Sequence, residues 1–517
     1  MKNIFKIAVL GLGVAAVGFT GCKKSFLDRN PTDQAATSEV FKTIDGFEAA
    51  VQGIHRMMYE VVDHDQFGYP SLAMTYDLMG EDFIPSGFGA GWFITPYRYN
   101  DSRNGTNLGD YNWTFHYRII NNANQILSRI DALDADQNRK DYVKASALFY
   151  RAYAYYNLSI CYMHTYKGTT DMAGQPIPAP INYTGPYTGA PCVPIYTAPT
   201  QTPNPRATVE DVYKQIVSDL KSSITLFNGS TKTRTDKSEL NVSVAEGVYA
   251  RVALVMQDWT TAATMAHNAR QGYPYMTGTM LYDGFTDVRN QEWIWGSIIN
   301  TEQNGIYASF LSHVDYDMGG YASLGCQKKM NSKFMATSGE LAIDTADLRR
   351  KWWWTREELT GKNLPYAPNS QRKFRAKDPS SFAGDYPLMR ASEMALIEAE
   401  ALAQGGQPTQ SATVLTEYAK TRNPNFTAPT AAADLVKEIW KQRRIELWGE
   451  GFRFGDLMRS FASPLNRNLV GLDRTSTGAS SGIATPEFMS LTPFNTQFLW
   501  RITSSEINVN KNIPQNP

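Results

Sequence analysis

Large aromatics alternating with alanines, in paired amphipathic stretches, constrain this chain more than any other feature. Between Asn112 and Leu133, Trp113, Tyr117, Ile120, Leu127 and Ile130 recur at three- and four-residue steps, which places them on one face of an α-helix. A second stretch runs from about Tyr142 to His164, with small Ala145, Ala147, Ala152 and Ala154 among large aromatics. Thr208 stands as an N-cap before Glu210 and Asp211. The run then continues through Val212, Ile216, Leu220 and Ile224, and later through Val244–Met256 and Ala262–Ala269. Met389–Leu402 and Gln410–Thr421 form a third pair, and Ala431–Arg459 closes the set.

Small residues between large ones let neighbouring helices approach, and these pairs resemble tetratricopeptide-type units. The expected fold is mostly α: a tetratricopeptide-like helix-pair scaffold with long irregular loop insertions and a few short strands. The pairs cover about 112–165, 208–271, 389–421 and 431–459, within one domain over 22–517. Two insertions, about 59–111 and 272–388, are rich in glycine and aromatics and lack a helical period. A third excursion, Lys167–Arg206, is dense in proline. Trp293-Ile294-Trp295 reads as a short strand that buries one of its two tryptophans. Long loops of this composition usually carry function.

The first 21 residues are read as a leader. Lys2 and Lys6 precede an apolar run from Ile7 to Phe19, then Thr20-Gly21-Cys22. The run is shorter than the roughly 20 residues a membrane span needs. A cysteine directly after small residues is the lipoprotein arrangement, so Cys22 is the expected site of lipidation and the anchor to a membrane. Removing the leader leaves 496 of 517 residues. Fifty basic residues balance fifty acidic ones, which gives no electrostatic reason to expect nucleic acid as a partner. Cys161, Cys192 and Cys326 are too few and too far apart for a disulfide framework or a metal cluster, although one bridge, such as Cys161–Cys192, stays open.

Near the C-terminus stands Arg443-Arg444-Ile445-Glu446-Leu447-Trp448-Gly449-Glu450-Gly451-Phe452-Arg453-Phe454-Gly455-Asp456-Leu457-Met458-Arg459. Glu446 and Glu450 one turn apart resemble an acid/base pair. The flanking arginines favour an ion-paired structural network instead, because a working acid needs a raised pKa. Other pattern matches fail on context. Gly478–Gly482 has the nucleophile-elbow spacing without a strand before it. Asp134–Asn138 starts like a calcium loop but carries Arg139 where the turn glycine belongs. The six histidines have no paired ligand spacing, so no metal and no cofactor is expected.

The C-terminal segment resembles the signature of the SusD/RagB family of outer-membrane nutrient-binding lipoproteins. Other stretches resemble the family in the right order. They are Phe26-Leu27-Asp28-Arg29-Asn30-Pro31 after the lipid cysteine, Trp113 with Tyr117, Ile120 and Asn124, and Val193-Pro194 with Arg206-Ala207-Thr208 and Val212-Tyr213. Asp347 with Arg349, Met389–Glu393, Glu398–Ala401, Arg501-Ile502, Glu506-Ile507 and Gln515–Pro517 follow. Lys23 and Lys24 depart from the acidic residues that often follow the cysteine in surface-exported members. The resemblance implies a SusD-like, TPR-like lipoprotein of the outer membrane, facing the cell surface. It would bind oligosaccharides in polysaccharide utilisation and pass them to a SusC-like TonB-dependent transporter, without catalysis.

Sugars offer C–H faces to aromatic rings and hydroxyls to polar edges, so a site needs aromatics held out on loops. In the first insertion Trp92, Tyr97, Tyr99 and Asn100 qualify; in the second, Trp295, Tyr307, Tyr316 and Tyr321 do. Trp352, Trp353 and Trp354 cannot all face a ligand, since consecutive residues point in different directions. Three alternatives stay open: an oligopeptide ligand, a structural subunit of the uptake complex, and a lipid-anchored glycoside hydrolase. The hydrolase would have only Glu81 and Asp82 as candidate carboxylates.

Overall fold

Most helices begin where the chain supplies a capping side chain. In the computed structural model α1 (Ile44–Met57) starts behind Thr43, whose hydroxyl accepts the Gly46 N–H. After α2 (Tyr69–Leu78) and β1 (Phe83–Pro85) come α3 (Asn107–Leu127) and α4 (Gln137–Tyr162), the latter capped by Asp136 in the expected inter-helix turn. Thr208, Asn241 and Asp258 cap α5 (Val209–Gly229), α6 (Val242–Met256) and α7 (Trp259–Ala269). Then follow β2 (Trp293–Ser297), β3 (Lys328–Met330), β4 (Tyr386–Arg390), α8 (Ala391–Gln404), α9 (Pro408–Lys420), α10 (Ala432–Glu446) and α11 (Arg453–Ser460), with a short helix, Ser504–Val509, near the C-terminus. The described residues are 39–99, 107–167, 186–301, 308–460, 472–474, 490–492 and 495–517. Cys22 and its leader, Asn100, Tyr307 and the Gly478–Gly482 loop lie outside them.

Each helix from α3 to α7 packs on the next, and α7 packs directly on α8 although residues 270–390 lie between them. The helix-pair scaffold is therefore continuous in space, and the second insertion leaves it and returns. Its exit and re-entry are joined by β2 and β4, which pair antiparallel with register shifts around Trp295. The four alanines of α4 are fully buried, which lets α3 and α5 close on it. β1 pairs antiparallel with β3, tying the first insertion to the second. No helix among the described residues is long and apolar enough to cross a membrane.

Two elements differ from the expectation. The first insertion contains α2, every residue of which is buried. A helix covered on all sides has no polar stripe, so it leaves no amphipathic period to read. The 431–459 region is two helices, because Gly449 and Gly451 adopt left-handed φ values of 81° and 88° between α10 and α11. At Gly451 an added Cβ would stand 2.5 Å from that of Ala73, so α2 and α11 meet through a glycine. Asp77 of α2 accepts the Gly451 and Arg453 N–H groups at 3.1 and 2.9 Å, which satisfies the open start of α11.

Glu446 and Glu450 form a buried ion network, but not with the arginines next to them in sequence, whereas Asp456 pairs with Arg459 three residues on. Glu446 accepts from Arg349, Arg390 and Arg422 at 3.2, 2.8 and 3.0 Å. Glu450 accepts from Lys373 and Arg390, both at 2.6 Å, and Glu292 joins Arg390 and Arg422 at 2.6 and 2.7 Å. Arg443 and Arg444 instead reach Asp456 and Asp82. Burial opposes the charge on Glu446, yet the three guanidiniums outweigh it and hold the carboxyl well below its ordinary value. The network locks the second insertion, through Glu292 and Lys373, onto α8 and α10.

Burial also acts on four histidines. It lowers His55 and His116 to about 4 and His164 and His313 to about 3, from an ordinary 6.5. Below pH 6.5 the unfolded chain then binds more protons than the folded one. Stability therefore falls with pH, by about 1.4 kcal/mol per unit for each histidine, until the folded value is reached. Asp77, which burial raises to about 7, acts in the opposite sense, as do Asp110, Glu246, Asp283, Asp315 and Asp385, whose shifts are smaller than those of the four histidines, so the histidines set the net sign. A thermal melt is expected to show Tm falling steadily from pH 6.5 to 5, before the ion-paired carboxylates protonate. A constant or rising Tm over that interval would contradict the burial of these rings.

Candidate functional site

Three loops from distant parts of the chain converge on one aromatic group. The first turns at Asp63–Gln66, where the His64 N–H donates to the Asp63 carboxylate at 2.7 Å, leaving His64 exposed and Phe67 buried. In the second, Gly91 and Phe93 both adopt left-handed backbone, at φ 88° and 63°. That conformation is unfavourable for phenylalanine and persists because its ring is anchored in the core near Phe67 and His313. Trp92, between them, is turned outward and half-buried. The third loop is two successive 3-10 turns, Tyr316–Met318 and Tyr321–Leu324, ended by left-handed Gly319 and Gly325. Gly320 lies so close to Ser312 that a Cβ there would be 2.3 Å from its Oγ, and that Oγ accepts the Tyr321 N–H.

The rings lock together. His64 stacks on Trp92 with centres 5.2 Å apart and planes at 25°. Tyr321 meets both edge-on, at 5.8 and 6.1 Å, and its hydroxyl lies 2.8 Å from His64 Nδ1. Beneath Tyr321, His313 stacks at 4.7 Å and in turn stacks on Phe67 at 5.6 Å. Burial keeps His313 neutral, so its Nε2–H can donate to the His64 carbonyl at 2.9 Å. Phe88 and Leu324, a few residues from Trp92 and Tyr321 in the chain, are 46% and 57% exposed. This arrangement can offer an apolar face with polar edges, already held in place before a ligand arrives.

Trp92, Tyr316 and Tyr321 are the sequence candidates at this surface. Tyr316 meets Tyr366 edge-on at 5.4 Å, and Tyr366 stacks on Trp354 at 4.5 Å. Tyr97, Tyr99 and Trp295 require correction, since all three are fully buried. The guanidinium of Arg474 lies 4.0 and 5.3 Å from the Tyr97 and Tyr99 rings, and the Tyr99 hydroxyl donates to the Met79 carbonyl. Trp293 and Trp295 are both buried, because helices cover the β2–β4 pair and no solvent face remains. Trp295 packs among His55, Phe149, Tyr150 and Tyr153. Of the three consecutive tryptophans, Trp352 and Trp353 are buried and Trp354 is half-buried. His64 and His313 carry no sequence signal for this role.

The hydrolase candidates are neutralised by partners. Asp82 accepts from Arg444 at 2.6 and 2.7 Å. Burial opposes the charge on Glu81, but Arg453 and Arg444 hold its carboxyl down to about 2, the wrong direction for a general acid. Cys161, Cys192 and Cys326 are free and buried, so the Cys161–Cys192 bridge is not formed, and burial pushes the Cys161 thiol up. Among the described residues no group of three or more His, Cys, Asp or Glu is placed to hold a metal ion. A cavity of about 640 Å³ lies elsewhere, lined by Lys333, Trp440, Lys441, Arg444 and Asp456 among others and by none of the platform aromatics.

A family described as SusD-like, starch-binding and associating with the outer membrane matches residues 25–254, and the SusD family matches 370–517. Together the two matches span nearly three quarters of the chain. SusD-like protein P2 of Formosa agariphila is 31% identical over 153 residues, which is 28% of this chain and only 28% of that protein. A SusD-like carbohydrate binding protein from Bacteroides vulgatus superposes with a TM-score of 0.75 at 25% identity, covering 91% of this chain and 97% of that one. Surface glycan-binding protein A from Bacteroides uniformis shares the fold, with a TM-score of 0.66 at 17% identity over 92% and 99% of the two chains. With its helix-pair scaffold, its C-terminal signature and these matches, the chain belongs to the SusD/RagB family.

Proposed function

We propose that this protein is a lipoprotein anchored through Cys22 to the outer membrane, facing the cell surface. It captures oligosaccharides on the Trp92–His64–Tyr321 platform and hands them to a SusC-like TonB-dependent transporter. Support comes from the match to a family described as starch-binding and associating with the outer membrane. One observation carries the assignment to the platform. Three loops with no sequence proximity converge to hold half-exposed rings rigidly at the surface, while the neighbouring aromatics Tyr97 and Tyr99 serve the core. A sugar ring laid on such a surface buries its C–H face, and the hydroxyl and imidazole edges meet its oxygens. The ion-paired states of Glu81 and Asp82 support binding without turnover.

Calorimetric titration of the soluble Cys22→Ala protein against neutral and acidic oligosaccharides and oligopeptides tests this reading. Saturable binding to a glycan, with no release of reducing ends, is the expected result. Binding to peptides alone would reassign the platform, and hydrolysis of any glycan would remove the non-enzymatic reading.

A further inference from the structure

Beside the platform, residues 355–369 form an arm closed at its base by backbone hydrogen bonds: Trp354 N–H to Ser370 O at 2.9 Å and Asn369 N–H to Trp354 O at 2.7 Å. Residues 360–365 of the arm are exposed, and the half-buried Tyr366 that follows them is fixed at backbone, face and tip. The buried Gln327 carboxamide grips the backbone on either side of it. Its Nε2 donates to the Pro365 carbonyl at 2.8 Å, and its Oε1 accepts the Ala367 N–H at 2.9 Å. The Tyr366 ring stacks on Trp354 at 4.5 Å with planes at 13°, and the Arg372 guanidinium lies 4.0 Å from the Trp354 ring centre. The hydroxyl donates to the exposed Asp317 carboxylate at 2.6 Å, and Tyr316 meets the ring edge-on at 5.4 Å.

The groups that hold Tyr366 belong to the segment that carries the platform. Asp317 and Gln327 lie on either side of Tyr321 in the chain, and the Ser86 N–H donates to the Gln327 carbonyl at 2.8 Å, just after β1 and before the Trp92 loop. Tyr316 and Tyr321 are five residues apart, so their Cα atoms stand no more than about 18 Å from each other, within the span of one oligosaccharide. Ordering a side chain on an exposed arm costs conformational entropy, and the arm adds little to the core; a ring fixed in this way is preorganised for a ligand. The arginines beside it are already compensated: Arg372 pairs with Glu358 at 3.0 Å, and Arg375 with Asp315 at 3.3 Å and with Asp317. An apolar ring face with hydroxyl and carboxylate edges suits an uncharged sugar.

We propose that Tyr366, with Tyr316 and Asp317, forms a second sugar-stacking shelf that engages the same glycan as the platform, so that the protein selects oligosaccharides long enough to span both. Gln327 and Trp354 are the positioning residues of this shelf. The inference rests on the glycan-binding reading above.

Maltose to maltohexaose, cellobiose to cellohexaose and xylobiose to xylohexaose would be titrated calorimetrically into the soluble Cys22→Ala protein. Affinity is expected to rise with length in a series that binds. Tyr366→Ala is expected to reduce the hexasaccharide affinity about tenfold, with a much smaller loss for the shortest member that binds, whereas Trp92→Ala weakens both. Tyr366→Phe, which keeps the ring on Trp354, is expected to lose far less. Tyr366 stands on an exposed arm, so both variants should fold, and an unchanged Tm checks this. Hexasaccharide affinity indifferent to Tyr366→Ala, or a loss of equal size for the shortest member, would overturn the shelf and keep the platform. A loss in Tyr366→Phe as large as in Tyr366→Ala would overturn ring stacking as its basis. Binding indifferent to Trp92→Ala would overturn the platform whatever Tyr366 does. Failure of all three series to bind the folded protein would overturn both.

Discussion

Replacing Arg390 by methionine is expected to lower the free energy of unfolding by about 3–5 kcal/mol, a large share of the 5–15 kcal/mol that holds most domains folded. Arg390 is fully buried and donates to Glu292, Glu446 and Glu450. The neighbouring cations Arg349, Arg422 and Lys373 cannot replace those contacts, so its loss leaves the carboxylates undercompensated in a dry site. Methionine fills much of the volume, which confines the effect to charge and hydrogen bonding. The denaturant midpoint of the variant measures it. A second change, Glu450→Gln, should recover part of the loss by removing one undercompensated charge, since Lys373 alone still pairs with Glu450, a coupling that a cavity alone would not show. A loss below about 1 kcal/mol would mean the network is not the fold's central tie.

Trp92→Ala is expected to weaken glycan binding by about 2 kcal/mol, roughly thirtyfold, while Tm changes little. The ring is half-buried, with one side against the core and the other stacked on the exposed His64, so truncation removes exposed aromatic surface along with part of a core contact. Tyr321→Phe should cost less, about 1 kcal/mol, because the ring stays on His313 and only the hydroxyl that meets His64 Nδ1 is lost. If Trp92→Ala left affinity intact, the ligand would have to bind elsewhere on the molecule.

The scaffold was legible because its helices are amphipathic. The periodic residues Trp113, Tyr117 and Ile120 lie on α3, and Thr208 caps α5 as its position before two acidic residues implies. α2 was not legible, since burial on every side erases the polar stripe that betrays a helix. At the platform, Trp92 and Tyr321 stood out as aromatics among glycines, where regular secondary structure is hard to sustain. Tyr97 and Tyr99 share that context, yet Arg474, from the far end of the chain, draws both rings inward. His64 became part of the site through its stack on Trp92 and through Tyr321, a partner 257 positions away. In both cases the decisive contact is tertiary, and no local pattern encodes it. The signature region shows the same limit. Glu446 and Glu450 were readable as ion-paired, but their partners are Arg349, Lys373, Arg390 and Arg422 rather than the adjacent arginines.

The central claim is that the glycan lies on the platform built by His64, Trp92 and Tyr321. A crystal structure of the protein with the tightest-binding oligosaccharide from the titration tests it most directly. The account predicts a sugar ring stacked on Trp92, with a hydroxyl within hydrogen-bond distance of His64 or Tyr321. Sugar density in the charged cavity beside Trp440 and Lys441, with the platform bare, would contradict it.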